Sequence, residues 1–294
     1  MKCPSYTSPD SIPLDLSSIS PYIIGTATLR NCMFLSHLPR LLHQKYGKCY
    51  VLCPATGEKV TKDVFNGNPY VTKMIPMINT LTVPTLAPTS RSDNIIDEWT
   101  RMYGLLPNLS QVSRDKPELY LDSNEIDSTV YDEIFADPNR YRVFLFFKDG
   151  HFLDRLRYPA LFKSIKDYFC NINKQVDFIQ AGSCDMDLGD TVRILKSHNN
   201  VRSLMHIIRR CDLYVGNARS GAYYIAVALD KKCLILENNY HYEFLNMFQC
   251  GCSTNSKFYQ THLKSYECTC KDIKVVTLDE FKDIVTDEIY NNLQ

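Results

Sequence analysis

Apolar positions along the chain fall into short runs, and two spacings alternate. Tyr22-Ile23-Ile24 is a brief β-like run. From Cys32 to Tyr46 the residues Met33, Phe34, His37, Leu38, Leu41 and Leu42 recur at helical spacing and predict an amphipathic helix. Pro39 lies inside that stretch and predicts a kink or a late helix start, while Gly47 suits the position just past its end. Cys49 to Cys53 reads as a strand closed by Pro54, and Asn68-Pro69-Tyr70-Val71 leads into a further β-like run around Met74-Ile75. Ile95 to Tyr103 predicts an amphipathic helix ending at Gly104. Residues 106–120 are polar, residues 122–140 acidic, and Asp137-Pro138-Asn139 breaks the pattern.

The alternation then restarts. Arg142 to Phe147 reads as a buried strand, Leu161 to Phe169 as a helix, and Val176 to Gln180 as a strand ending near Gly182. Ser203 to Arg210 predicts a helix, Cys211 to Val215 a strand, Ala222 to Leu229 the start of a small-residue helix, Lys232 to Leu236 a strand, and Asp279 to Tyr290 a last helix. Strands alternating with helices in both halves predict an α/β protein of two doubly wound, Rossmann-like domains facing a cleft, over residues 1–135 and 136–294.

Composition narrows the classes. A chain of 294 residues with 45% hydrophobic and 22% charged content buries a sizeable core. Net charge is zero, which argues against nucleic-acid binding driven by backbone electrostatics. No apolar stretch reaches the length of a bilayer span, and Met1 to Ser5 lacks the apolar run of a signal peptide, so the cytoplasm is the expected compartment. Of the twelve cysteines, Cys32, Cys49, Cys170, Cys211 and Cys233 sit in apolar runs and read as small core residues.

Asn217 to Gly221 forms a tight turn between a buried strand and a helix. Such a turn aims backbone N–H groups at one point, and the helix dipole favours an anion there, a phosphate or diphosphate above all. An ordinary strand-to-helix connection with Ser220 as its cap is the alternative.

Four stretches in order resemble glycosyltransferase family 9, the lipopolysaccharide heptosyltransferase-like enzymes of the GT-B fold. They are Leu29 to Tyr46 followed by Cys49 to Cys53; Phe65-Asn66-Gly67-Asn68-Pro69-Tyr70-Val71; Arg155-Leu156-Arg157-Tyr158-Pro159; and Ser203 to Leu236, with its Cys-Asp-Leu-Tyr-Val-Gly-Asn core. The resemblance spans roughly residues 22–240. It implies inverting transfer of a sugar from a nucleotide-diphosphate sugar to a hydroxyl of a glycan, lipid-linked or protein acceptor. The first domain would hold the acceptor and the second the donor, with no metal needed for the chemistry.

The departures from the family are specific. Its Gly-Asp pair falls on Arg30-Asn31, and an Asn31 amide cannot serve as the general base that the Asp supplies. The family's later Asp falls on Ala218 or Arg219, and its His on Tyr224. Leu156 stands where many members carry a phosphate-binding Lys. Donor and phosphate binding is therefore expected of Lys148, Arg157, Asn217, Arg219, Ser220, Gly221 and Tyr224, with Glu237 at a donor ribose or base. Asn31 would orient the acceptor, and His151 or Asp149 would take its proton. The alternative is a GT-B module that binds a nucleotide sugar or glycan without turnover.

Cys250-Gly251-Cys252 and Cys268-Thr269-Cys270 form two Cys-x-Cys pairs fifteen residues apart. Four thiolates so paired suit a structural tetrahedral zinc or iron; unpaired loop thiols are the alternative.

Overall fold

A computed structural model of the chain describes residues 20–77, 99–100, 102–105, 116–122, 125, 135–146, 157–181, 190–195, 200–216, 220–236, 273–276 and 278–293. The first half contains β1 (Tyr22–Ile24), α1 (Leu29–Leu35), α2 (Leu38–Tyr46), β2 (Tyr50–Pro54), α3 (Glu58–Phe65) and β3 (Lys73–Met77). The three strands pair in parallel in the order β1-β2-β3. Pro76 is tolerated in β3 because that strand lies at the edge of the described sheet.

The second half contains β4 (Tyr141–Phe146), α4 (Arg157–Asn171), β5 (Val176–Ala181), β6 (Val192–Leu195), α5 (Val201–Arg210), β7 (Leu213–Gly216), α6 (Gly221–Ala228), β8 (Lys232–Leu236), β9 (Ile273–Val276) and α7 (Leu278–Asn292). Its six strands are all parallel, in the order β6-β5-β4-β7-β8-β9. The chain thus winds outward from β4 in one direction and outward from β7 in the other. The predicted α/β class with two parallel sheets is what the fold contains.

Several elements differ from the expected ones. The helix over Cys32 to Tyr46 is two helices, divided at Ser36 and His37. The Ser36 hydroxyl donates to the Met33 carbonyl at 2.7 Å, which occupies a backbone acceptor at the end of α1. Pro39 then sits in the first turn of α2, where its missing N–H costs nothing. Gly47 closes α2 in a left-handed conformation, as expected. The helix after β4 is longer than the predicted stretch and begins at Arg157. Cys170 is a correction: it is exposed on α4, whereas Cys32, Cys49, Cys211 and Cys233 are buried. Helix α3 and strands β6 and β9 had no distinct pattern; β6 and β9 are four residues each and carry Arg193 and Lys274.

The pleat of the six-stranded sheet sorts its side chains into two cores. Val143, Leu145, Leu213 and Val215 pack with Phe162 and Ile165 of α4 and with Val285 and Ile289 of α7. Phe144, Phe146 and Tyr214 face the other way and join a core that runs on into the first half. Helices α5 and α6 on this face meet α3 and α1, so one apolar cluster includes Ile23, Phe34 and Val51 together with Ile207, Tyr224 and Ile225. At its centre the edge of the Phe34 ring meets Tyr224, with centroids 4.8 Å apart and planes at 82°.

Polar groups join the same helices. Asn200 caps α5 by accepting the Arg202 N–H at 2.9 Å. Arg202 and His206, one turn apart on α5, both reach Glu125 Oε2, at 2.6 and 3.2 Å. Burial holds the His206 imidazole below its ordinary value and outweighs the hydrogen bond to Glu125. Arg202 holds the Glu125 carboxyl below the usual carboxylate value. Both groups are harder to protonate in the folded chain than in the unfolded one. Asp63 opposes them in the carboxylate range, because burial raises it.

Two outcomes are expected. Phe34→Ala should cost about 3–5 kcal/mol, since a fully buried aromatic is removed from a shared core. Urea unfolding followed by the fluorescence of Trp99, the single tryptophan, measures this directly. For His206, stability is present above the unfolded pKa, about 6.5, and is lost as pH falls through the lower folded value. The urea midpoint should therefore fall between pH 7.5 and pH 5.5, and fall less in His206→Gln; equal slopes would refute this assignment.

Candidate functional site

In an open parallel sheet the strand order reverses at one place, and the crevice at the carboxyl ends of the two diverging strands is the usual ligand position. Here those strands are β4 and β7, ending at Phe146 and Gly216, which are paired neighbours. A β-carbon at Gly216 would lie 2.1 Å from the Phe146 carbonyl oxygen and 3.0 Å from the Tyr214 hydroxyl. Glycine is thus required for the two strand ends to close together.

Lys148, Asp149 and His151 follow β4 in sequence, Asn217 and Arg219 follow β7, and Glu237 follows β8. All six lie outside the described residues, as do Cys250, Cys252, Cys268 and Cys270. Arg157 is the first residue of α4. Among the described residues, no group of three or more His, Cys, Asp or Glu could hold a metal ion.

Ser220, Gly221 and Tyr224 are described, and the fold gathers them on the first turn of α6. Ser220 is the N-cap: its hydroxyl accepts the Tyr223 N–H at 3.0 Å. The same hydroxyl bonds the buried Tyr214 phenol at 2.8 Å. Tyr214 comes from β7, and its ring stacks on Phe144 of β4 at 6.1 Å. A phenol anchored in the sheet thereby sets the rotamer of the serine that starts the helix. Sequence reasoning did not single out Tyr214; a tyrosine in a buried strand looks like any other apolar position until its hydroxyl is seen to meet Ser220.

The first half supplies the opposite wall. A β-carbon at Gly221 would lie 2.6 Å from Leu29 of α1. The start of α1 therefore packs against the start of α6, across the boundary between the two sheets. Thr28 caps α1 by accepting the Asn31 N–H at 3.4 Å. Asn31 is half-buried in the first turn of α1. Tyr224 is 4% exposed and rests on Phe34. The arrangement places the amino-terminal turn of an eight-residue helix beside a sheet crevice, where the helix dipole favours negative charge.

The sequence matches no known protein-family profile and no curated protein. The fold, in contrast, matches solved structures over nearly the whole chain. A glycosyl transferase of family 9 from Veillonella parvula superposes with a TM-score of 0.55 at 10% identity, covering 91% of this chain and 88% of that one. The E. coli ADP-heptose lipopolysaccharide heptosyltransferase II gives 0.53 at 14% identity, over 92% and 98%. The dodecameric iron-containing heptosyltransferase TibC, in complex with ADP-D-β-D-heptose, gives 0.51 at 8% identity, over 93% and 76%. At these identities the shared property is the fold: the chain carries the two-sheet GT-B fold of the heptosyltransferase-like glycosyltransferases.

Proposed function

We propose that the protein is an inverting glycosyltransferase that moves a sugar from a nucleotide-diphosphate sugar to a hydroxyl of a glycan, lipid-linked or protein acceptor. The observation that supports this most is the meeting of α1 and α6 at the reversal of the strand order, in a fold shared with ADP-heptose enzymes. In this reading the second half binds the donor. Backbone N–H groups at Ser220 and Gly221 face its diphosphate, and Lys148, Arg157, Asn217 and Arg219 supply further donors and positive charge. Tyr224 backs the same turn, and Glu237 meets the ribose or base.

The acceptor hydroxyl attacks the anomeric carbon from the face opposite the diphosphate. A carbon–oxygen bond forms there as the bond to the leaving phosphate oxygen breaks, which inverts the centre. The hydroxyl proton goes to His151 or Asp149, because the Asn31 amide has no basic site and serves only to orient the acceptor. Negative charge grows on the departing nucleoside diphosphate, and the α6 dipole with nearby cations stabilises it. The same asparagine favours a second reading, a module that binds a nucleotide sugar without turnover.

We propose a cytoplasmic location, in keeping with the burial of Cys32, Cys49, Cys53, Cys211 and Cys233 in the core as small apolar side chains. No helix among the described residues is long and apolar enough to cross a membrane. The four thiols at 250, 252, 268 and 270 suit a structural zinc or iron by their donor chemistry, and TibC is itself iron-containing.

A thermal-shift panel of ADP-, GDP-, UDP- and CMP-linked sugars tests the main proposal. One donor at a hundred times its Kd should stabilise the fold by about 2.7 kcal/mol. The shift should shrink in Ser220→Ala, which itself loses about 1 kcal/mol with the cap. No shift with any donor overturns the reading; a shift without sugar transfer or donor hydrolysis favours the binding module. For the cysteines, elemental analysis should find one zinc or iron per chain, and none after Cys250→Ser with Cys268→Ser.

A further inference from the structure

The segment from Lys116 to Glu125 connects the halves, and its described residues are bonded on both sides. Toward the first half, the Glu118 N–H donates to Ser36 Oγ at 2.9 Å. The Glu118 carboxylate accepts Arg40 Nε at 2.7 Å, and Glu125 Oε1 accepts Asn66 Nδ2 at 3.1 Å. Toward the second half, Lys116 pairs with Asp230, and Arg209 Nη1 reaches the Leu121 carbonyl at 3.4 Å.

The Arg202 side chain joins its own helix α5 to both the connector and α3. Its Nε donates to Glu125 Oε2 at 2.6 Å, and its Nη2 to the Tyr120 carbonyl at 2.6 Å. Its Nη1 reaches past the connector to the Asp63 carbonyl of α3 at 3.2 Å. The residue is only 8% exposed. A cation in the first turn of a helix runs against the helix dipole, so propensity does not explain its presence there. The planar fork of a guanidinium explains it, because a point-like ammonium cannot address three divergent acceptors.

We propose that Arg202 is a positioning residue that sets the spacing of the two halves at the candidate site. It clamps α5 against α3 through the connector. Helix α3 packs on α1 and α5 packs on α6, so the clamp is transmitted to the pair α1 and α6, whose starts form the two walls. The inference rests on the packing of these four helices and stands apart from the proposed reaction.

Hydrogen exchange resolved by peptide tests it on the whole protein. In Arg202→Met, which keeps an apolar stem, exchange in residues 29–35 and 221–228 should rise about tenfold, the equivalent of one lost hydrogen bond to a charged group. Peptides from β4 and β5 should stay as protected as in the wild type. Arg202→Lys should behave like Arg202→Met rather than rescue it. Glu125→Gln, a milder change of the same cluster, should show the pattern at smaller size. Faster exchange confined to residues 116–125 and 200–210 would overturn the proposal, because the effect would then be local. Loss of protection in β4 and β5 in every variant, Glu125→Gln included, would equally overturn it, since Arg202 would then serve the fold at large.

Discussion

The contact of Phe34 with Tyr224 is the constraint on which the remaining arrangement depends. Each ring belongs to a helix that covers a different sheet, and burying the two edges together makes one core of what would otherwise be two. An aromatic pair of this geometry adds about 0.5–1.5 kcal/mol beyond the area it removes from water. Its larger effect is geometric. Once those rings are packed, Leu29 must lie against Gly221, and the starts of α1 and α6 must face one another. The position of the candidate site is thus a consequence of core packing between the halves.

Two types of interaction divide the work along this boundary. The α1–α6 pair is apolar and tight, with a glycine where any side chain would collide with Leu29. The α3–α5 pair is polar, held by Arg202, Glu125 and His206 with carbonyls of the connector. Apolar packing fixes distance but tolerates sliding; directional bonds from a guanidinium fix register. Burial at His206 and the Arg202 guanidinium at Glu125 both make these groups harder to protonate than in the unfolded chain.

At the crevice itself, Gly216 and Tyr214 make the strand end and the helix start act together. Gly216 lets β7 close on the Phe146 carbonyl and leaves room for the Tyr214 hydroxyl beside it. That hydroxyl bonds Ser220, whose cap begins α6. The orientation of the helix start is therefore anchored in the sheet rather than in the turn alone. Such anchoring is what an anion site needs, because N–H groups stabilise charge without reorganisation only when they are already aimed.

Much of the fold was legible in the chain because hydrophobic spacing is a local property. Strands β4 and β5, buried on both faces of a parallel sheet, read as strands from their clustered aromatic and β-branched residues despite Arg142, Asp177 and Gln180, and α5 read as an amphipathic helix. Gly47 and Ser220 announced a helix end and a helix start through backbone geometry and capping chemistry. Strands β6 and β9 escaped because four residues interrupted by a charge carry no period, and the break at Ser36 depends on a hydroxyl turning to its own helix. By itself, then, the sequence determined the alternation of strands and helices, the serine cap that starts α6 and the resemblance to family 9. Only the tertiary structure decided the strand order that puts β4 beside β7, the meeting of Leu29 with Gly221, the bond of Tyr214 to Ser220 and the reach of Arg202 to both the connector and α3. Most of these join residues far apart in the chain, and even the bond of Tyr214 to Ser220, six residues on, links an interior strand to the helix after it; no local pattern can carry such contacts.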